Sequence, residues 1–368
     1  MKAQKAKFSP KKLKFNIDYA GLFTRGGKIF DAKSLSVFLL VCGLAIFGCI
    51  MVYSASSYIA NYRYSNPYFY LTKQIIGAVL GIIAMFVCSF INYQKLKKLK
   101  WWLVIISAIL LALVFVPGIG VENYGAKRWL NLGFFTIQPS EFAKFALVIF
   151  AAAYLSDNYE KIGKFKTLLP VLGVGLGFCL LVILEPNMSI TMCIGLIMLF
   201  MLFVGGAKMK HFVWLGIPAA CAVPALIIIE PYRIQRFMAF LNPWASPQAE
   251  GFQLIQSLYS LGSGGLFGVG LGNSRQKYMF LPFSESDFIF SAICEELGVI
   301  FGLAMILVIV SIFLSFANVA MKCKEPFYKY VALGFSSIYI VQCFLNLGGV
   351  TKFIPSTGVT IPLVSYGG

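Results

Sequence analysis

Charge is what this sequence has least of. Only 12% of its 368 residues are charged, where a soluble domain carries about a quarter. Histidine occurs once, as His211 beside Lys208 and Lys210, so histidine catalysis and histidine metal sites have almost no material. None of the nine cysteines forms a CxxC pair and eight lie in apolar runs, which excludes a disulfide or zinc framework and leaves small packing residues. No GxGxxG and no GK[ST] occurs, so a Rossmann or P-loop nucleotide site is excluded. What fills the chain instead is apolar: 59% hydrophobic residues, among them 35 Phe, and a mean hydropathy of +0.81. A soluble fold of this size leaves roughly a quarter of its unfolded surface exposed and could not hide that much apolar surface. The composition therefore predicts an all-α, polytopic membrane protein.

Bilayer-length apolar runs fall near 35–57, 72–92, 101–117, 141–156, 168–185, 188–205, 212–230, 287–318 and 328–348, nine in all. The N-terminal run is too long for a cleavable signal and no small-residue cleavage site follows it. The 77–81 and 173–177 stretches carry GxxxG, a sign of close helix packing. No internal repeat is evident, which gives an inverted-repeat transporter little support.

The net charge of +17 is distributed unevenly. With the N-terminus placed inside, the tail 1–34 and the loops 93–100, 157–167, 206–211 and 319–329 hold 21 Lys and Arg, against 10 elsewhere. The positive-inside rule then predicts a cytoplasmic basic tail (1–34), a single transmembrane domain (35–368) and a large extracellular loop (231–286) between spans seven and eight. The basic tail reads as a topology signal and an attractor of anionic lipid, in preference to a nucleic-acid site.

Charge at a membrane span is costly and marks a candidate site. Lys127 and Arg128 precede Gln138-Pro139-Ser140-Glu141, where Pro139 favours the start of a helix. Glu141 and Lys144 then share a face, either as a structural ion pair or as the lining of a polar cavity. Glu185-Pro186-Asn187 marks a break between spans five and six, read as a tight turn with its carboxylate at the interface. The outer loop supplies Arg233 and Arg236, then Gln253, Gln256, Ser257 and Gly262-Ser263-Gly264-Gly265, whose glycines suggest close backbone approach. Finally Leu281-Pro282-Phe283-Ser284-Glu285-Ser286-Asp287 runs into span eight and Glu295-Glu296-Leu297-Gly298. Ser284-x-x-Asp287 has the form of a capping box, so Asp287 is either a helix cap or a reactive carboxylate.

These segments resemble the SEDS family of bacterial cell-wall synthesis (FtsW, RodA, SpoVE). The likeness lies in Gly125-Ala126-Lys127-Arg128-Trp129, Gln138 to Lys144, Arg236 through Asn242-Pro243-Trp244, Gly251 to Ser257, Gly262 to Gly265, Leu281 to Gly298, and Pro355-x-Thr357-Gly358-x-x-Ile361-Pro362-x-x-Ser365-Tyr366-Gly367-Gly368. It runs in order from span one to the C-terminus. The sequence departs at Glu185-Pro186-Asn187, where the family often has Gln-Pro-Asp, and at Lys352, where glycine is common. The resemblance implies ten spans with both ends inside, so nine visible spans imply that this chain stops just before or within the tenth. The long basic tail leans toward division or sporulation members, FtsW above all.

The resemblance further implies a glycosyltransferase that polymerises lipid II into glycan strands on the outer membrane face, working with a class B penicillin-binding protein and the division or elongation machinery. The rival readings are a lipid II flippase and a non-catalytic scaffold for the transpeptidase. An inverting β-1,4 transfer needs one base on the acceptor hydroxyl, and Asp287 occupies the place of the family's essential outer-loop aspartate. The helix N-terminus is expected to keep it ionised. Arg128, Arg233, Arg236 and Lys277 are candidates for the diphosphate, with Glu141, Lys144, Gln256 and Ser263 as further substrate-binding candidates. The polyprenyl chains need an apolar groove open to lipid. No metal site is encoded by ligand spacing; a divalent ion held by the substrate pyrophosphate is compatible with the sequence.

Overall fold

The computed structural model describes residues 32–367 apart from 92, 124, 125, 132, 134 and 135. Most of the tail 1–34, together with Gly125 and Gly368, lies outside the described residues. Twelve helices and three short strands follow in order: α1 (Ala32–Tyr64), α2 (Phe69–Ser89), α3 (Tyr93–Lys98), α4 (Lys100–Leu113), β1 (Gly120–Asn123), β2 (Ala126–Asn131), β3 (Thr136–Ile137), α5 (Pro139–Asp157), α6 (Phe165–Leu184), α7 (Met188–Gly205), α8 (Met209–Ile229), α9 (Pro231–Leu241), α10 (Phe252–Ser263), α11 (Ile289–Lys322) and α12 (Pro326–Val350).

Eight of these helices are long and apolar enough to cross a membrane. The third expected span, 101–117, is shorter than its apolar run: α4 has 14 residues and gives way to turns after Leu113. The helical expectation also omitted a small antiparallel sheet, β1-β2-β3, with Val121 opposite Trp129 and Leu130 opposite Ile137. This sheet leads the chain from α4 to Pro139, which opens α5 as its sequence position predicts.

α5 is the central helix. Its stripe of Ala143, Ala146, Ala151, Ala152 and Ala153 is buried with Leu147, Val148 and Phe150, packed with residues of α6, α7 and α12 in one cluster. Small side chains let helices approach closely where lipid is as apolar as the protein interior. A second cluster joins Met51 and Val52 of α1, Ile293 and Ile309 of α11, Cys343 of α12 and Ile361 and Val364 of the C-terminal segment. α2 and α8 carry no buried residues across their most apolar windows. The GxxxG expectation fails at 77–81, where nothing lies within 4 Å of a Cβ built on Gly77 or Gly81. In the 173–177 stretch Gly173 and Gly177 are equally open, but Gly175 between them packs so closely on Met198 of α7 that a Cβ there would collide with its side chain. Gly77 and Gly81 instead line an open cleft.

The 231–286 loop is not irregular, since α9 and α10 lie within it. α10 leads to Gly264 and a segment that lies against a break in α11. At Gly298 the backbone leaves the helix (φ 85°, ψ 168°). There Val269 N and Gly270 N donate to the carbonyls of Glu295 and Glu296, while Val299 N and Ile300 N donate to those of Gly265 and Leu266. The contact is backbone on backbone, as the loop glycines suggested. A Cβ on Gly298 would sit 2.2 Å from the Leu266 carbonyl oxygen, and one on Gly268 at 2.2 Å from that of Glu296. Gly298→Ala is therefore expected to destabilise the protein by about 3 kcal/mol or more, combining a disfavoured φ with overpacking. A fall in the thermal midpoint in detergent, larger than that of Gly177→Ala on open helix surface, checks it.

Candidate functional site

The site begins one residue before the N-cap of α11. Ser286 N and Phe288 N both donate to the Phe283 carbonyl (3.1 and 3.2 Å), closing a tight turn that carries Glu285 and Asp287. The capping box is not formed. The N-cap is Phe288, with no side-chain cap bond, and the Ser284 hydroxyl donates to the Ala55 carbonyl of α1 at 3.2 Å. The Asp287 carboxyl is half-buried. Burial, and then the neighbouring Glu285, push it up to about 6, while Arg236 and a hydrogen bond from Ser286 pull it down. Loss of hydration and a like charge thus outweigh the helix terminus expected to keep Asp287 ionised.

Two contacts from behind fix this turn. Asn346 of α12 donates from one Nδ2 to the Asp287 carbonyl (2.7 Å) and to the Val359 carbonyl (2.6 Å). Tyr366 N donates to the Glu285 carbonyl at 2.9 Å. The C-terminal segment therefore walls the carboxylate. Gly358, at φ 64°, faces it so closely that a Cβ there would lie 3.3 Å from Asp287 Oδ2.

The candidate cations divide by what holds them. Arg128, on β2, donates to the carbonyls of Glu185 (Nε, 3.3 Å) and Pro186 (Nη2, 2.5 Å), and Tyr232 also donates to Pro186 (3.3 Å). Arg236 is exposed on α9, within electrostatic reach of both Arg128 and Asp287. Arg233 is buried and donates from Nη1 to the Leu226 carbonyl (2.8 Å). Lys277 is also buried, and Glu296 (3.6 Å) and the Gly272 carbonyl occupy it. Asp287 thus interacts with Arg236, and Arg236 with Arg128, while Arg233 and Lys277 are buried and engaged within the protein.

Among the remaining candidates, Glu141, Lys144 and Ser263 are engaged with other partners. Glu141 and Lys144 form an ion pair at 2.8 Å, with Lys144 fully buried and Glu141 39% exposed. Gln256 is half-buried on α10. Ser263 is exposed, and its hydroxyl donates back to the Ser260 carbonyl. The Glu185 carboxylate, expected at the interface, is 1% exposed and neither oxygen has a hydrogen-bond partner. Burial pushes it up to about 8 despite Arg128 nearby. Asn187 caps α7 through Oδ1, a task an amide performs without charge.

An apolar cleft of about 780 Å³ opens beside these groups. Gly77, Gly81 and Ile82 of α2 and Ala45 of α1 line it, with Lys73, Gln74, Arg128 and Tyr366 as polar lining. Gln74 also donates to the Ser365 carbonyl at 3.3 Å. Sequence reasoning missed Asn346, Lys73 and Gln74 as site residues. Each is a polar residue inside an apolar run, which is a signal by itself, but only the fold shows what it faces.

The eight bilayer-length helices, with α11 broken at Gly298, define a mostly helical polytopic membrane protein. The chain belongs to the FtsW/RodA/SpoVE family of cell cycle proteins, whose model matches residues 34–368. It is 39% identical to stage V sporulation protein E of Bacillus subtilis over 92% of each chain. It is 38% identical to the probable peptidoglycan glycosyltransferase FtsW of Francisella salina, over 91% of this chain and 84% of that one. Among solved structures, a chain of a peptidoglycan synthase complex that coordinates polymerization and crosslinking superposes with a TM-score of 0.75 at 26% identity, covering 92% of this chain and 93% of that one. The rod-shape-determining protein RodA of Thermus thermophilus shares the fold, with a TM-score of 0.64 at 24% identity over 92% of each chain.

Glu295 is the anchor of this region. Its carboxylate accepts from the hydroxyls of Ser260 (3.0 Å) and Ser274 (2.6 Å) and from the backbone N–H of Arg275 (2.9 Å) and Gln276 (3.4 Å). Glu295→Ala strands buried donors, at a cost of about 3 kcal/mol or more, and should release the loop at exposed Arg275. Faster trypsin cleavage after Arg275 in the variant, with cleavage elsewhere unchanged, is the expected result.

Proposed function

We propose that this protein polymerises lipid II into glycan strands by inverting β-1,4 transfer, with Asp287 as the general base. The observation that carries the reading is one chain of charges beside an apolar cleft: a half-buried carboxylate near neutrality acted on by Arg236, which in turn acts on Arg128 at the lining of the cleft. The acceptor hydroxyl attacks the anomeric carbon, the bond from that carbon to the diphosphate breaks, and the hydroxyl proton passes to Asp287. A base whose pKa lies close to the working pH is both ionised and adequately basic. Arg128 and Arg236 meet the charge that grows on the departing diphosphate. The cleft between α1 and α2 suits a polyprenyl chain, which is apolar along its length and charged at one end.

Among the described residues no group of three His, Cys, Asp or Glu could hold a metal ion, so a divalent ion would depend on the substrate diphosphate for its ligands. The likeness to a chain of a peptidoglycan synthase complex supports a class B penicillin-binding protein as partner, and the named relatives support a role in division or sporulation. A cytoplasmic N-terminus and an outer-face site follow from the positive-inside count. The alternative of a flippase rests on Glu141 and Lys144, which the ion pair engages with each other.

Glycan polymerisation from purified lipid II, with the transpeptidase present, tests the reading. Asp287→Asn should lose at least about 100-fold in rate while remaining monodisperse. Equal polymer from both proteins removes Asp287 as the base. A lost polymerisation with full lipid II translocation in liposomes separates enzyme from flippase, and full cell-wall synthesis in cells carrying Asp287→Asn would favour the scaffold.

The base works only when ionised, so the rate should fall as pH drops through about 6. Arg236 favours the ionised form. Arg236→Gln should therefore move that acid limb to higher pH as well as weakening the leaving-group step, and a pH–rate series checks both.

A further inference from the structure

Glu285 is a buried carboxylic acid that the mechanism above does not use. It is 7% exposed, and its Oε2 has no hydrogen-bond partner. It forms no salt bridge among the described residues. The groups that face it come from four directions. Arg63, near the end of α1, is exposed and supplies a distant positive charge. Tyr70 of α2 and Tyr366 of the C-terminal segment both feel the charge of Glu285, with Tyr64 beside them, and their rings meet edge to face at 4.9 Å. Within its own turn it has the Ser284 hydroxyl and Asp287.

The turn cannot separate the two acids. Its closure through Phe283 fixes their spacing. The backbone carbonyl of each is held from outside, Glu285 by Tyr366 N and Asp287 by Asn346 Nδ2. A buried carboxylate with a full hydrogen-bond complement is comfortable as an anion; one with an unpaired oxygen is not. Two acids fixed two residues apart in a poorly hydrated turn interact, and the proton load of one depends on the other.

We propose that Glu285 is a positioning residue of the transfer reaction: its buried carboxyl group, with one oxygen left unpaired, repels charge on Asp287 and so governs the pH at which Asp287 can accept the acceptor's proton. This rests on the reading of Asp287 as the base. Burial also raises the Glu285 carboxyl above the usual carboxylate range, so the pair gives up its protons nearer to neutrality than either acid would in water. The consequence is a base matched to neutral pH by a neighbour in its own loop.

The test is the pH–rate profile of glycan polymerisation for the parent, Glu285→Gln and Asp287→Asn, each as the full chain with its transpeptidase. Gln keeps size and shape and removes the charge. The sign follows: a negative Glu285 raises Asp287, so removing it lowers Asp287. The acid limb of Glu285→Gln should move to lower pH by about one unit, with a plateau lowered by a few-fold because the base is weaker. An equal loss at every pH with an unmoved limb overturns the inference and makes Glu285 structural. Activity in Asp287→Asn equal to the parent overturns the underlying reading instead. Should Glu285→Gln fail to give monodisperse protein, reciprocity supplies the second measurement. In Asp287→Asn the infrared band of the protonated Glu285 carboxyl, separated from that of Glu185 by repeating the titration in a Glu185→Gln background, should vanish at lower pH than in the parent, and an unmoved band overturns the coupling.

Discussion

The segment between α10 and α11 depends on two carboxylates buried side by side near the break in α11. Glu295 gathers two serine hydroxyls and two backbone N–H groups. Glu296 accepts from Ser54 of α1 at 2.6 and 2.8 Å and lies 3.6 Å from Lys277. An ionised carboxylate in a dry interior is expensive unless its lone pairs are matched. The cost of burying these two acids is therefore also the force that organises the loop, since any arrangement that leaves them unmatched is penalised. The loop is held at 274–277 from α11, and its far end reaches Asp287 only ten residues later. Gly298 makes this possible by letting the loop backbone reach the helix backbone directly.

A second constraint comes from the other side. Asn346 joins the Asp287 carbonyl to the segment after α12, and Tyr366 repeats the connection at Glu285. A catalytic carboxylate gains from being held in place before its substrate arrives, because the ordering cost is then not charged against the transition state. Here the holding groups act on backbone carbonyls and leave the carboxylate oxygens of Asp287 for chemistry. The conformation of Gly358 serves the same end by admitting the carboxylate where a side chain would crowd it.

Much of this was legible in the sequence, and what was not has physical reasons. The long spans follow from hydropathy, since only a helix satisfies its own backbone in lipid. Pro139 marked the start of α5, and the Glu141–Lys144 spacing placed the two on one face. Asp287 stood out as a carboxylate at the mouth of a span. The capping-box pattern misled because local spacing says nothing about competition: the Ala55 carbonyl, more than two hundred residues away, takes the Ser284 hydroxyl. GxxxG misled in the same manner, since a smooth helix face packs only if a partner is there, and at Gly77 and Gly81 the face borders a cleft. The four outer cations looked alike in sequence, because which of them is neutralised by a buried partner is a tertiary fact.

That last distinction decides what the site can do. Lys277 lies beside a carboxylate, Glu296, which offsets its charge, and it serves the loop. Arg128 is held instead by two neutral carbonyls at the Glu185-Pro186 break, which fix its orientation without cancelling its charge. The nearest acid, Glu185, is buried without a hydrogen-bond partner and pushed up to about 8, so at neutral pH most of it carries no charge to offset the guanidinium. Arg236, exposed on α9, adds a second positive charge close by. A positive field that is oriented in advance and left uncompensated is what a developing diphosphate charge requires, because the protein need not reorganise as the bond breaks. Arg236 also reaches Asp287 and lowers it, while burial and Glu285 raise it. The balance of those opposing effects, rather than any one contact, sets a carboxylate that can hold a proton taken at neutral pH and give it up again.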